Sequence, residues 1–101
     1  MVEQILQQHL SQIRTLLIQH GVQSAYAFGS AVKGPFTDKS DVDFIISFAS
    51  DMDYVAYADN YFSLLYALQR LLQKEVDLVT EKTLKNPYLL QSINQHKVQL
   101  L

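Results

Sequence analysis

The chain has no cysteine, so disulfides and thiolate metal sites are excluded, and a reducing compartment is compatible. Glycine and proline are scarce, three and two residues, and no linker, repeat or low-complexity segment breaks the pattern. Basic excess is missing as well. Eight Lys and Arg against ten Asp and Glu give a formal net charge of −2, with no basic stripe to track a nucleic-acid backbone. No apolar run is long enough to cross a bilayer. The first residues, Met1 to Gln4, lack the charged start and apolar run of a secretory signal. There is no G-x-G-x-x-G, so a dinucleotide-binding fold has no support. The spacing from Gly29 to Gly34 imitates a P-loop, but Pro35-Phe36 stands where Lys-Ser/Thr is required.

What is present suits one small domain spanning residues 1–101, in a soluble, cytoplasmic protein. Nearly half of the chain is apolar (49%), enough for a single core. Val2, Ile5, Leu6, His9, Ile13, Leu16 and Leu17 recur at helical spacing, which predicts an amphipathic helix over 2–19, stopped by Gly21. Tyr26-Ala27-Phe28 opens an apolar strand that ends at Gly29-Ser30. Residues 31–40 carry turn chemistry (Gly34, Pro35, Thr37, Asp38, Ser40), although Ala31 to Lys33 can begin a short helix. A second strand runs from Asp41 to Phe48.

A long helix is expected over Tyr54–Leu72, its apolar face formed by Val55, Ala58, Tyr61, Phe62, Leu65, Leu68 and Leu72. Glu75–Thr80 alternates as a third strand, Val76 and Leu78 on one side, Glu75, Asp77 and Val79 on the other. Pro87 fits the first turn of a last helix, and Val98, Leu100 and Leu101 form an apolar tail suited to a fourth strand. Strands alternating with long helices indicate an α/β (α+β) layered domain.

The chemistry concentrates in Gly29-Ser30 and, ten residues later, Asp41-Val42-Asp43. Alternation along a strand puts both carboxylates on one face, about 6.5 Å apart in rise. They can ligate one hard cation or span two; without a cation they repel, and one tends to hold its proton. Magnesium removes that conflict, because it takes one or two carboxylates together with substrate phosphates and water. Asp77 is the natural third carboxylate if its strand lies beside that of Asp41 and Asp43, as a metal ligand or as the base for an attacking hydroxyl. Gly29 allows a tight turn and close approach to a ligand. Ser30 offers a hydroxyl and a backbone N–H for terminal phosphates, and Lys33 a nearby charge. Taken alone, D-x-D is an ordinary solvated strand face and G-S an ordinary capped turn. Their conjunction points to metal-dependent chemistry on a nucleoside triphosphate.

Other polar residues read as structural. His9, His20 and His96 are dispersed without ligand spacing. Asp51 and Asp53 precede a helix, where acidic residues suit the N-terminal dipole. Tyr54, Tyr57, Tyr61 and Tyr66 sit on the central helix as core or rim packing.

Phe28-Gly29-Ser30, the ten-residue gap, Asp41-Val42-Asp43 and the strand Val76-Asp77-Leu78-Val79 together resemble the signature of the DNA polymerase beta-like nucleotidyltransferase superfamily. The resemblance covers essentially the whole chain. With no added acceptor-binding domain, the chain is similar to the minimal nucleotidyltransferases, which are often encoded beside a helical HEPN-domain toxin as its antitoxin. The resemblance implies a short mixed sheet flanked by helices, Gly29 and Ser30 on the triphosphate, and Asp41, Asp43 and Asp77 as a magnesium-binding triad. It further implies transfer of AMP from ATP to a tyrosine of the toxin. The chain departs from many relatives where arginines follow the G-S pair. It has Ala31 and Lys33 instead, and lysine offers a point charge rather than a planar fork. The alternative reading is an antitoxin that neutralises its HEPN partner by covering it, without catalysis. A third is transfer to a small molecule, for which such enzymes usually carry an extra domain.

Overall fold

A computed structural model describes residues 4–29, 41–49, 51–81 and 86–101. Among them four helices and four strands follow one another: α1 (Gln4–Gln8), α2 (Leu10–Gln19), β1 (Val22–Phe28), β2 (Val42–Phe48), α3 (Tyr54–Leu72), β3 (Val76–Thr80), α4 (Pro87–His96) and β4 (Val98–Gln99). The strands form one mixed sheet in the order β3-β2-β1-β4. β1 is antiparallel to β2 and β4, while β2 and β3 run parallel. The long helix α3 makes the crossover that parallel neighbours require.

Period-two alternation decides the faces. Val42, Phe44, Ile46 and Phe48 of β2 are buried on one side with Ala25 and Ala27 of β1 and Val76 and Leu78 of β3. Against this surface pack Leu6, Ile13 and Leu17 from the N-terminal helices and Leu64, Leu68 and Leu72 from α3. The opposite face carries the alternate residues, among them Asp43 and Asp77. That division leaves the carboxylates off the core without breaking it.

The expected first helix is interrupted at His9, which separates α1 from α2 and turns its ring Nδ1 to the Ile5 carbonyl at 3.0 Å. Gly21, at φ +79°, ends α2 as expected. β1 starts four residues earlier than the apolar run suggests, at Val22, because pairing with Phe48 extends it. Asp53 caps α3, its carboxylate accepting the Ala56 N–H at 2.8 Å. Asp51 makes no such capping bond among the described residues.

The core face of α3 holds Leu68 and Leu72 as expected and adds Leu64, whereas Val55 and Phe62, on the neighbouring stripe, stand 73% and 52% exposed. Both stripes are apolar and equally helical in spacing, so only the packing partner distinguishes them. Tyr57 and Tyr61 pack at the rim of the core, as expected for tyrosines on this helix, but Tyr54 and Tyr66 do not. At the C-terminal end, Leu100 is buried and its N–H donates to the Ala25 carbonyl at 2.8 Å. Arg14 Nε–H donates to the Leu100 carbonyl at 2.7 Å, tying the chain end to α2.

Candidate active site

Three strand ends bring the sequence-selected residues together. β1 delivers Gly29 just beyond its last residue; β2 delivers Asp43, with Asp41 immediately before it; β3 delivers Asp77. Register fixes their relation: Phe28 pairs with Asp43, and Asp43 pairs with Asp77 across the parallel ladder. Phe28, Asp43 and Asp77 therefore form one row across three strands, with side chains on the same face and neighbouring backbones about 4.8 Å apart. Asp77 lies 34 positions from Asp43 in the chain, yet the fold makes them neighbours.

Gly29 adopts φ +73°, the left-handed region that favours glycine. A Cβ at this position would overlap Asp43 Oδ2 and lie 3.1 Å from its Cγ. The turn thus passes directly over the Asp43 carboxylate, and a side chain at this position would have to displace that carboxylate from a backbone conformation strained for L residues. Ser30 and Lys33 lie outside the described residues, as does the segment that joins Gly29 to Asp41.

The electrostatics are those of crowded negative charge. Asp43 is half-buried. Burial, then the Asp77 carboxylate, then that of Asp41 push its pKa up from 3.8 to about 6. Asp41 and Asp77 are exposed. Tyr61 on α3 approaches from the far side of β3, its hydroxyl donating to the Leu78 carbonyl at 2.5 Å. Its pKa is raised by burial first and then by the same Asp77 charge.

A divalent cation fits this donor set. The ligands are all hard oxygens, and the charge that burdens Asp43 is the charge a cation would neutralise. Among the described residues no three His, Cys, Asp or Glu side chains already stand as a closed metal-holding group.

Sequence reasoning missed Tyr61 as a neighbour of this site. Its only signal was a tyrosine on the helix that precedes the Asp77 strand, which is too general to single it out. The histidines are structural where described: His20 Nδ1 meets the Leu16 carbonyl at 2.7 Å and its Nε2 the Ser63 hydroxyl at 3.1 Å, joining α2 to α3.

The fold has counterparts among known proteins. A family model described as a nucleotidyltransferase domain matches residues 7–100. The chain belongs to the nucleotidyltransferase family, as a minimal member. A protein of Methanocaldococcus jannaschii, whose name gives protein adenylyltransferase as its proposed activity, is 32% identical over 94 residues. That match covers 93% of this chain and 89% of the relative. Among solved structures, a toxin–antitoxin with AMP-PNP superposes with a TM-score of 0.71 at 28% identity, over 91% of this chain and 72% of that one. A complex of tri-AMPylated Shewanella oneidensis HEPN toxin with MNT antitoxin gives 0.64 at 26% identity, over 94% and 71%. The chain is a nucleotidyltransferase, with the mixed sheet and flanking helices of its structural neighbours. No helix among its described residues is long and apolar enough to cross a membrane.

Proposed function

We propose that this nucleotidyltransferase moves AMP from ATP to a protein hydroxyl, a tyrosine of a helical HEPN toxin, and so acts as the toxin's antitoxin. The observation that carries the reading is the row in which Asp43 lies beneath the Gly29 turn and beside Asp77. A triphosphate bound at the turn sits against the carboxylates that manage its charge. The relatives described as adenylyltransferase and as partners of an AMPylated toxin support protein as the acceptor.

Each residue then has a distinct task. Gly29 admits the triphosphate to the main chain, with Ser30 and Lys33 following it. Asp41 and Asp43 would hold magnesium, with Asp77 as the third carboxylate beside them. When bound, magnesium neutralises phosphate charge and the repulsion that raises Asp43. Asp77, the exposed carboxylate, accepts the proton of the attacking hydroxyl. The new oxygen–phosphorus bond forms at the α-phosphorus, the bond to the β-phosphate oxygen breaks, and pyrophosphate leaves.

The test is incubation with α-labelled ATP, magnesium and the HEPN partner. Label on the partner is the expected result, lost by at least a hundredfold in Asp77→Asn while ATP still binds. An unlabelled partner in a sample that binds ATP would overturn the reading. Neutralisation that survives the double change Asp41→Asn with Asp43→Asn would favour covering over catalysis.

A further inference from the structure

Most of the large apolar side chains that stand exposed lie on one helix, α3: Tyr54, Val55, Phe62 and Tyr66, each more than half exposed. Val55, Phe62 and Tyr66 recur at intervals of seven and four residues, so they fall within about 40° of one another around the helix axis. Leu64, Leu68 and Leu72 take the inward side of the same helix. The exposed stripe therefore points away from the sheet, and away from the opposite sheet face that carries Asp43 and Asp77. Phe62 is held in place on it, its ring edge-on to that of Tyr61 with centroids 5.2 Å apart.

A contiguous apolar stripe on a helix exterior marks a docking surface, and the charges beside it identify the occupant. Asp59 and Arg70 are exposed on one flank of the stripe. They lie about 20° apart around the axis but about 16 Å apart along it, so they cannot meet within one helix. Neither forms an ion pair among the described residues. When two α3 helices pack antiparallel, their equivalent flanks face each other. With the two-fold axis passing between Phe62 and Tyr66, the Phe62 ring of each copy meets the Tyr66 ring of the other. The same register sets each Asp59 opposite the Arg70 of the other copy, and Val55 over the last turn of the facing helix.

Two aromatic contacts and two ion pairs thus arise from a single alignment. A self-complementary patch of this kind is what a two-fold interface between identical chains requires. Antiparallel helices also oppose their dipoles. A parallel alignment would instead set Asp59 against Asp59 and Arg70 against Arg70. One pair of helices covers less surface than a standard stable interface, so the association belongs to the weak, concentration-dependent class.

We propose that the outer face of α3 is a homodimer seam, on which a second copy of this chain packs antiparallel through Val55, Phe62 and Tyr66 with reciprocal Asp59–Arg70 pairs. Both carboxylate faces then point outward, so the dimer presents two sites at once. The association does not depend on the transfer reading above and is measured without nucleotide. Analytical ultracentrifugation of the full chain, from micromolar to millimolar concentration, should show a monomer–dimer equilibrium. Phe62→Glu, Asp59→Arg and Arg70→Asp should each weaken the dimer at least tenfold. An equimolar mixture of the Asp59→Arg chain with the Arg70→Asp chain should associate at least tenfold more tightly than either variant alone, because each mixed dimer contains two pairs of opposite charge. Circular dichroism verifies that each variant keeps its helix content; if Phe62→Glu does not, Tyr66→Glu on the same stripe takes its place. A native chain that stays monomeric throughout, a dimer indifferent to the stripe variants, or a mixture no tighter than its components would overturn the proposal.

Discussion

The Asp43 carboxylate offers the sharpest measurement, because its environment opposes its own charge. Its folded pKa of about 6 lies above the ordinary 3.8. A group raised on folding contributes stability that is fully present below the unfolded pKa and lost as pH rises through the folded one. Between about pH 4 and 6 the cation-free protein should therefore lose stability. The shift from 3.8 to about 6 corresponds to roughly 3 kcal/mol at most. Solvent reaches about half of the carboxylate, so screening reduces this to about 1–2 kcal/mol. Asp43→Asn keeps the shape and removes the charge. In EDTA at pH 7.5 the variant should be more stable than the native protein by that amount, a Tm higher by roughly 4–15 °C for a domain near 100 residues. The gap should close near pH 4, where the native carboxyl is protonated. Magnesium should raise the native Tm at pH 7.5 and leave the variant's nearly unchanged. Thermal unfolding followed by circular dichroism at both pH values, with and without magnesium, reads all four states. A variant no more stable than the native protein at pH 7.5, or a gap independent of pH, would refute the account of crowded charge.

Three further outcomes follow from particular contacts. Gly29→Ala must place a Cβ against Asp43 Oδ2 at φ +73°, which should cost about 1–3 kcal/mol in denaturant unfolding and weaken ATP binding in a titration. Leu64→Ala opens a cavity between α3 and the sheet, where Leu64 is fully buried. A loss of about 2–5 kcal/mol is expected as a lower denaturant midpoint with unchanged slope. Arg14→Met removes the donor to the Leu100 carbonyl. About 1 kcal/mol should be lost, with faster amide exchange at Leu100 and Leu101 than at Phe44.

The parts of the fold that were legible are those where local chemistry and tertiary packing agree. Asp53 at the start of α3, Pro87 at the start of α4 and the alternation of Val76-Asp77-Leu78 each carry a local physical signal, and the structure uses each as written. The carboxylate face was legible for the same reason, since period two alone puts Asp41 and Asp43 together and Asp77 opposite Val76 and Leu78. The rest depends on partners distant in the chain. The early start of β1 comes from pairing with Phe48, and the burial of Leu64 rather than Val55 and Phe62 comes from where the sheet lies. The break at His9 has no glycine or proline to announce it. Tyr61 could not be connected with Asp77 before β3 was known to lie at the sheet edge.

The parallel pairing of β2 with β3 has a consequence for how activity and folding are linked. An antiparallel hairpin can form from adjacent sequence, so β1 and β2 can bring Gly29 over Asp43 by themselves. Asp77 joins them only after the nineteen residues of α3 have doubled back across the sheet. A molecule nicked within that helix, or caught with it undocked, keeps Gly29 over Asp43 but lacks Asp77 beside them. On the proposed mechanism, turnover by this chain is therefore a report on completed assembly, and partial unfolding should switch it off before the hairpin itself melts.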